Sequence, residues 1–364
     1  MADGVDHAQG LSALRAERPR GIARGDTVAP PRRAISLSYL AILFGCAVGV
    51  LAICGLGLAA LGRVGLEPPP QFSNNLCLDQ KLEWLRQHPG EAPTVLAVGS
   101  SVTWRNFDGN AVRDATGGRA GVLNAAFCGL RMNQIAFTAE YFLDRLPSVR
   151  DVLTIVAPVD LVECSAVRTK VFDPADVDGY VYRQRWKYPY YLKYFDPLIL
   201  AKNVWIIDRM QHGAMPLDSV AFDRYGGAPL DTTASRPTLV YGALLPHDPQ
   251  CLSALRDLAR RVTAGGKRLV VVMQPMSPAW IAQYDPAGTG LRRLTDEVRA
   301  ALAGSSAVLW NPGSDAHLRA GQFIDAIHLR FSAARVFSRA IVDATDLGQE
   351  TSTRVTCCST PPHS

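Results

Sequence analysis

Short apolar runs alternate with amphipathic segments through the middle of the chain. Five mostly apolar runs predict buried strands, at residues 94–98, 121–127, 152–156, 268–273 and 307–310. Five segments with apolar residues at helical spacing predict helices, at residues 78–87, 133–146, 249–264, 291–303 and 331–345. Continuous apolar strands that alternate with helices are typical of a parallel sheet covered on both faces, so we expect an α/β fold.

The longest apolar run, residues 34–62, contains no charged residue and is long enough to span a bilayer. Residues 1–33 carry six arginines and four acids, and positive charge beside a membrane segment stays cytoplasmic. We therefore expect a cytoplasmic basic tail and a single-pass anchor in the inner (cytoplasmic) membrane, with the following domain periplasmic. The alternative is a cleaved signal peptide, whose apolar region would be only ~7–15 residues long.

The rest of the chain divides by composition. Residues 63–92, rich in proline at their start, predict a linker with one short helix, and residues 93–346 a single catalytic-sized domain. Residues 165–245 interrupt the alternation as an insertion, and the polar residues 347–364 predict a disordered tail. Six cysteines lie beyond the apolar run, so one or two disulfides of undetermined pairing are expected in an oxidising compartment.

In open parallel sheets, ligands bind beyond the carboxyl ends of the strands. The first strand ends in Gly99-Ser100-Ser101, where a serine would present its hydroxyl at a strand-to-helix turn. Asp325 and His328 precede the last helix, and an aspartate three residues before a histidine can orient the imidazole toward a serine. Each pattern alone also fits an ordinary turn or loop. Their order along the sheet favours a Ser101–His328–Asp325 triad.

At these positions the sequence resembles the SGNH/GDSL hydrolases over roughly residues 93–345. Gly99-Ser100-Ser101 matches the first block in its Gly-Ser-Ser variant, Gly129 the second, and Asp325-x-x-His328 the last. The resemblance implies a flavodoxin-like three-layer α/β/α sandwich with Ser101 as nucleophile and Asp325 and His328 as its partners. It also implies that the amides of Ser101 and Gly129 form an oxyanion hole. We expect no cofactor, and no zinc site, since the sequence has no C-x-x-C or histidine-spaced cluster.

The third block departs from the family pattern. The family has Gly-x-Asn-Asp, whose asparagine donates to the oxyanion, whereas this chain has Ala157-Pro158-Val159-Asp160. An ionised Asp160 would repel an oxyanion. Asn133 is one candidate for the missing donor; otherwise the hole consists of the two amides alone, and losing one donor typically lowers the rate by ~10²–10³.

Aromatic and cationic residues are interleaved in the insertion. We take Trp186, Tyr190 and Tyr191 from it, together with Trp104, as candidate substrate-binding residues. Exposed aromatics beside cations suit sugar rings and anionic glycans, while the same composition suits a membrane interface. The third interpretation is a helical cap with an aromatic core of its own.

These features together predict an extracytoplasmic serine esterase or O-acyltransferase, with O-acetyl as the expected group, that acts on a cell-envelope or exopolysaccharide carbohydrate. The resemblance implies a multispan membrane acyl donor protein as partner. One alternative is a catalytically degenerate domain that binds glycan or scaffolds polysaccharide assembly. Another is a lipid esterase or thioesterase. The net charge of +5 is too small to favour nucleic acid as a partner.

Overall fold

The computed structural model describes residues 37–90, 92–217, 220–235, 241–313 and 318–349. The predicted cytoplasmic tail and residues 350–364 of the predicted C-terminal tail lie outside these ranges. The chain divides into two units, with the boundary between Leu56 and Gly57.

Helix α1 (Leu37–Arg63) corresponds to the predicted anchor. It has 27 residues and is long and apolar enough to cross a membrane. Large apolar side chains along it, such as Leu37 and Phe44, are exposed. A single-pass anchor is consistent with this helix.

The second unit is built on a five-stranded sheet in which every neighbouring pair is parallel. Its strands are β1 (Val95–Ala97), β2 (Val122–Asn124), β3 (Asp151–Val156), β4 (Arg268–Met273) and β5 (Val308–Trp310). They lie in the order β2-β1-β3-β4-β5. The predicted α/β class and parallel sheet are confirmed. The order reverses direction between β1 and β3, which is where ligand crevices form in open sheets.

The helices that follow α1 either cover the sheet or belong to the insertion. They are α2 (Leu76–Gln87), α3 (Ser101–Asn106), α4 (Gly109–Ala115), α5 (Met132–Leu143), α6 (Pro174–Val177), α7 (Tyr188–Lys193), α8 (Pro197–Gln211), α9 (Pro249–Ala264), α10 (Pro278–Tyr284), α11 (Thr289–Leu302) and α12 (Phe331–Thr345). The predicted long helices are present, with boundaries shifted by a few residues. The short helices α3, α4 and α10 have too few turns for a readable period.

Alternate strand residues point to opposite faces and are buried on both. On β1, Leu96 packs in a cluster with α2, α5, α9 and α11, whereas Val95 and Ala97 pack in a second cluster with α4 and α12. The strands of the centre are fully buried, which explains why they read as continuous apolar runs instead of alternating ones.

The predicted linker at 63–92 is instead part of the domain. Leu78 and Leu82 of α2 are buried in the main core. Lys81 of the same helix is also buried and donates to the carbonyl oxygens of Asn124, at 2.5 Å, and Gly226. Burial lowers the pKa of Lys81 to about 7, although Asp223 opposes the shift. Helix α2 therefore joins β2 to the insertion.

Two disulfides connect these parts: Cys77–Cys128 and Cys164–Cys251. The first ties the start of α2 to the turn after β2, and the second ties the start of the insertion to α9. The beginning of the predicted C-terminal tail is also packed, since Leu347 is fully buried.

Candidate active site

The turn after β1 places Ser101 at the carboxyl edge of the sheet. Ser101 is the first residue of α3, and the hydroxyl oxygen of Ser100 caps this helix by accepting from the Val102 amide at 3.3 Å. A Cβ at position 99 would lie 2.0 Å from the Oγ1 of Thr103. The hydroxyl of Thr103 in turn donates a hydrogen bond to the carbonyl of Ile155 on β3 and accepts one from the amide of the same residue. Glycine at 99 therefore lets α3 pack tightly against the sheet.

Asp325 and His328 lie on the loop before α12, next to Ser101, and 10% of each side chain is exposed. The Nδ1 of His328 is 2.7 Å from the Oδ2 of Asp325, and its Nε2 is 3.0 Å from the Oγ of Ser101. The other oxygen of Asp325 accepts from the amides of Ile327 and His328. Burial by itself would raise the pKa of Asp325, but these hydrogen bonds and the nearby imidazole outweigh it and hold that pKa below its ordinary value.

Asn106 connects the serine helix to the histidine loop. This fully buried residue ends α3, donates to the carbonyl of Ile327 at 2.7 Å, and accepts from the amide of Leu329 at 2.9 Å. Because Ile327 and Leu329 flank His328, Asn106 fixes the loop at the same helix that begins with Ser101. Sequence reasoning missed this residue. A lone asparagine at the end of a six-residue helix carries no readable signal.

The backbone amides of Ser101 and Gly129 are the candidate oxyanion donors. Neither donates to an acceptor among the described residues. Gly129 has a positive φ of 70°, which favours glycine, and its turn directly follows the contact of the Phe127 amide with the carbonyl of Gly99. The turn that carries Gly129 is thus paired to the turn that carries Ser101.

The structure does not bring Asn133 to this site. Its side-chain amide donates to the carbonyl of Cys164 at 3.0 Å and to the Oγ1 of Thr169 at 3.3 Å. Both amide hydrogens are therefore committed to the segment after β3, and the prediction of Asn133 as an oxyanion donor is corrected.

The carboxyl group of Asp160 is hydrogen-bonded to Ala157 and Ser100. Its Oδ2 accepts from the Ala157 amide at 2.9 Å, and the Ser100 hydroxyl donates to the same carboxyl group. Burial raises the pKa of Asp160 to about 7, against these two hydrogen bonds and the positive charge of Arg131. Asp160 thus supports the turn through Ser100.

Ser101, Asp325 and His328 line a cavity of about 610 Å³. Most of the far wall comes from the insertion. Four residues of α8 at positions i, i+4, i+7 and i+11 share one helical face and line this wall: Ile199, Asn203, Ile206 and Met210. Lys202 also contributes to it. Polar and apolar groups are therefore both available to a ligand beside Ser101.

Asn203 is a second residue that the sequence did not single out. Only 3% of it is exposed, and its Nδ2 has no hydrogen-bond partner among the described residues. An unpaired buried amide is costly, so this donor is a candidate contact for a bound ligand.

The predicted aromatic substrate-binding residues separate into different places. Trp104 lines the cavity wall but is almost fully buried, and its Nε1 donates to the carbonyl of Gly226 at 3.1 Å. Tyr190 and Tyr191 are buried away from the cavity, Tyr190 in an aromatic cluster with Phe72. Trp186 is 71% exposed and does not line the cavity. The predicted roles of Tyr190 and Tyr191 are corrected. Tyr190 belongs to the main hydrophobic core, and the hydroxyl of Tyr191 donates to the carbonyl of Pro68 at 2.5 Å.

No model of a known protein family matches the chain, and no curated protein matches it. Among the described residues, no group of three or more histidine, cysteine, aspartate or glutamate side chains is placed to hold a metal ion. The site consists of a carboxylate, an imidazole and a serine hydroxyl in hydrogen-bonded order beside an open cavity.

Proposed function

We propose that the chain is a membrane-anchored serine acyl-ester hydrolase or O-acyltransferase of the SGNH/GDSL type. The observation that carries the proposal is the series of contacts from Asp325 through His328 to Ser101, at 2.7 and 3.0 Å. The strand order β2-β1-β3-β4-β5, which is that of flavodoxin-like sheets, supports a fold of the same kind.

The geometry supports a two-step acyl transfer. Asp325 holds the Nδ1–H tautomer of His328, which leaves Nε2 to accept the proton of the Ser101 hydroxyl. The Ser101 oxygen then attacks the ester carbonyl, and the amides of Ser101 and Gly129 stabilise the oxyanion. His328 returns the proton to the leaving alcohol, and an acyl-serine remains. Water or a second hydroxyl group, deprotonated by His328, then takes the acyl group and restores Ser101.

We propose an acyl ester, with O-acetyl as the expected group, on a cell-envelope or exopolysaccharide carbohydrate as the substrate. The cavity is large enough for a sugar unit as well as a small acyl group. Its polar residues, among them Asn203 and Lys202, supply contacts for hydroxyl or acidic groups. The apolar helix α1 and the two disulfides support a periplasmic domain on an inner-membrane anchor, beside a multispan acyl donor protein.

A serine-reactive fluorophosphonate probe tests the proposal on the full chain in detergent. We expect an adduct that peptide mass spectrometry places on Ser101, together with hydrolysis of p-nitrophenyl acetate. S101A should lose both, whereas the neighbouring control S100A should keep the adduct, with a stability loss of about 0.5–2 kcal/mol from the lost helix cap. Unchanged turnover in S101A would contradict the triad assignment. No adduct on Ser101 in the wild type would favour a binding or scaffolding domain instead.

A further inference from the structure

Exposed apolar side chains are concentrated in one part of the insertion. Outside residues 37–64, eight large hydrophobic residues among those described are exposed, and six of them lie between positions 182 and 205. These six are Tyr182, Trp186, Leu192, Phe195, Leu198 and Trp205. Scattered exposed apolar residues are ordinary, but a concentration of this kind marks an interaction surface.

Helix α8 has apolar positions on two faces. One face lines the Ser101 cavity. The other, the outer stripe, consists of Leu198, Lys202, Trp205 and Arg209, again at i, i+4, i+7 and i+11. Leu198 is 81% exposed and Trp205 56% exposed, while the guanidinium carbon of Arg209 lies 5.5 Å from the centre of the Trp205 ring. Lys202 stands at the border, because it also lines the cavity.

The insertion is attached directly to the chain that leaves α1. The Nε2 of Gln211 donates to the carbonyl of Gly65 at 2.8 Å, and the Nζ of Lys187 lies 2.7 Å from Glu67. Gly65 follows the last residue of α1 by two positions, a distance of at most about 7 Å of extended chain. The end of α8 and the beginning of α7 therefore stay close to the point where α1 ends.

We infer that the outer stripe of α8 docks on the anionic surface of the lipid bilayer in which α1 is anchored. The outer stripe carries two cations, Lys202 and Arg209, and no acid, a balance that suits anionic headgroups. Tryptophan with lysine and arginine is the combination found at membrane interfaces, where the ring lies at headgroup level and the cations reach the phosphates. Leu192 is 57% exposed and Leu198 81% exposed. A leucine side chain cannot stack on a sugar ring, but its burial in the membrane interface is favourable.

The inference rests on the membrane anchor of the proposed function and adds a position for the active site. The cavity face and the outer stripe are neighbours on one rigid helix of 15 residues. Docking of the stripe holds the mouth beside α8 at the membrane surface. Ser101 then meets esters that are presented close to the bilayer, such as a polymer still held at the membrane.

Site-specific fluorescence on the full chain in vesicles tests this docking. The free cysteines at 46 and 54 and those at 357 and 358 are replaced by serine, and L198C is labelled with an environment-sensitive nitrobenzoxadiazole dye. The matched control is V336C on α12, a position that is also largely exposed. In vesicles of phosphatidylglycerol and phosphatidylcholine with a nitroxide on the acyl chain, we expect blue-shifted and quenched emission at 198 and neither effect at 336.

A second arm tests the charge. R209Q in the L198C background should lower the ratio of docked to undocked label about fivefold in anionic vesicles, as expected for one cation near the surface, and leave neutral vesicles unchanged. Equal quenching at 198 and 336 would overturn the inference. So would a label that responds to an added acidic polysaccharide but not to the nitroxide lipid, since that result identifies a glycan surface.

Failure of the docking is separable from failure of the proposed function. Alkaline carbonate extraction of the same vesicles reports whether α1 is inserted, and the fluorophosphonate adduct reports whether Ser101 is reactive. Inserted, reactive protein with an unquenched label at 198 would overturn the docking alone.

Discussion

The Nε2 of His328 lies 3.0 Å from the Oγ of Ser101, although 227 positions separate the two residues along the chain. The contact joins the first and the last connections of the sheet at one edge. It depends on Asp325 for the tautomer of the imidazole and on Asn106 for the position of the loop.

Replacing Asp325 by asparagine is expected to lower kcat by about 10⁴ while leaving the fold intact. The carbonyl oxygen of asparagine can still accept hydrogen bonds from the amides of Ile327 and His328. Its NH₂ group would then face Nδ1 of His328 and cannot stabilise the Nδ1–H tautomer. Steady-state hydrolysis of p-nitrophenyl acetate measures the effect. The control D173N changes an exposed helix cap in the same way and should keep wild-type kcat. A D325N enzyme of normal kcat would contradict the assignment of the triad.

Replacing Asn106 by alanine is expected to lower kcat with little change in KM. The change leaves the Ile327 carbonyl and the Leu329 amide unpaired in the interior, each at a cost of about 1–3 kcal/mol, so the histidine loop loses its register with α3. N110A, on the neighbouring helix α4, is the control. If N106A and N110A have the same kcat, Asn106 does not position the site.

Asp160 predicts a pH dependence of stability. Its pKa is raised from 3.8 to about 7 in the folded chain, so between these values the unfolded chain releases a proton that the folded chain keeps. The contribution of Asp160 to the free energy of unfolding is therefore greatest at low pH and falls as pH rises toward 7. D160N lacks the charge, so its melting temperature relative to wild type should be higher at pH 8 than at pH 5. The exposed control D231N should show no such difference.

The two disulfides are expected to differ in their effect on activity. Loss of either should destabilise the fold by roughly 2–4 kcal/mol, since each closes a long loop. The pair C77S/C128S should also lower kcat, because Cys128 precedes Gly129 and lines the Ser101 cavity. The pair C164S/C251S does not line that cavity and should retain kcat at temperatures where it is folded. Equal loss of kcat in the two pairs would contradict this view of the Gly129 turn.

The sequence by itself determined the α/β class, the strands and the order of Ser101, Asp325 and His328 along the chain. Buried parallel strands must be apolar on both faces, so residues 94–98 and 152–156 can be recognised as strands from their own sequence, without knowledge of the strands beside them. A glycine before a serine, and an aspartate three residues before a histidine, are local patterns. Their positions after β1 and before α12 follow from chain order alone, and the structure brings Ser101, Asp325 and His328 together at those positions.

Only the tertiary structure decided what surrounds the triad. Asn133 has the right residue type near the right turn, but its two amide hydrogens are used by a segment more than 30 residues away. Tyr190 belongs to a core that includes Phe72 of the supposed linker, and the hydroxyl of Tyr191 donates to the carbonyl of Pro68 in the same segment. Helix α8 forms much of the cavity wall. Burial and hydrogen-bond partners of these side chains come from contacts distant in sequence, and no local pattern encodes them.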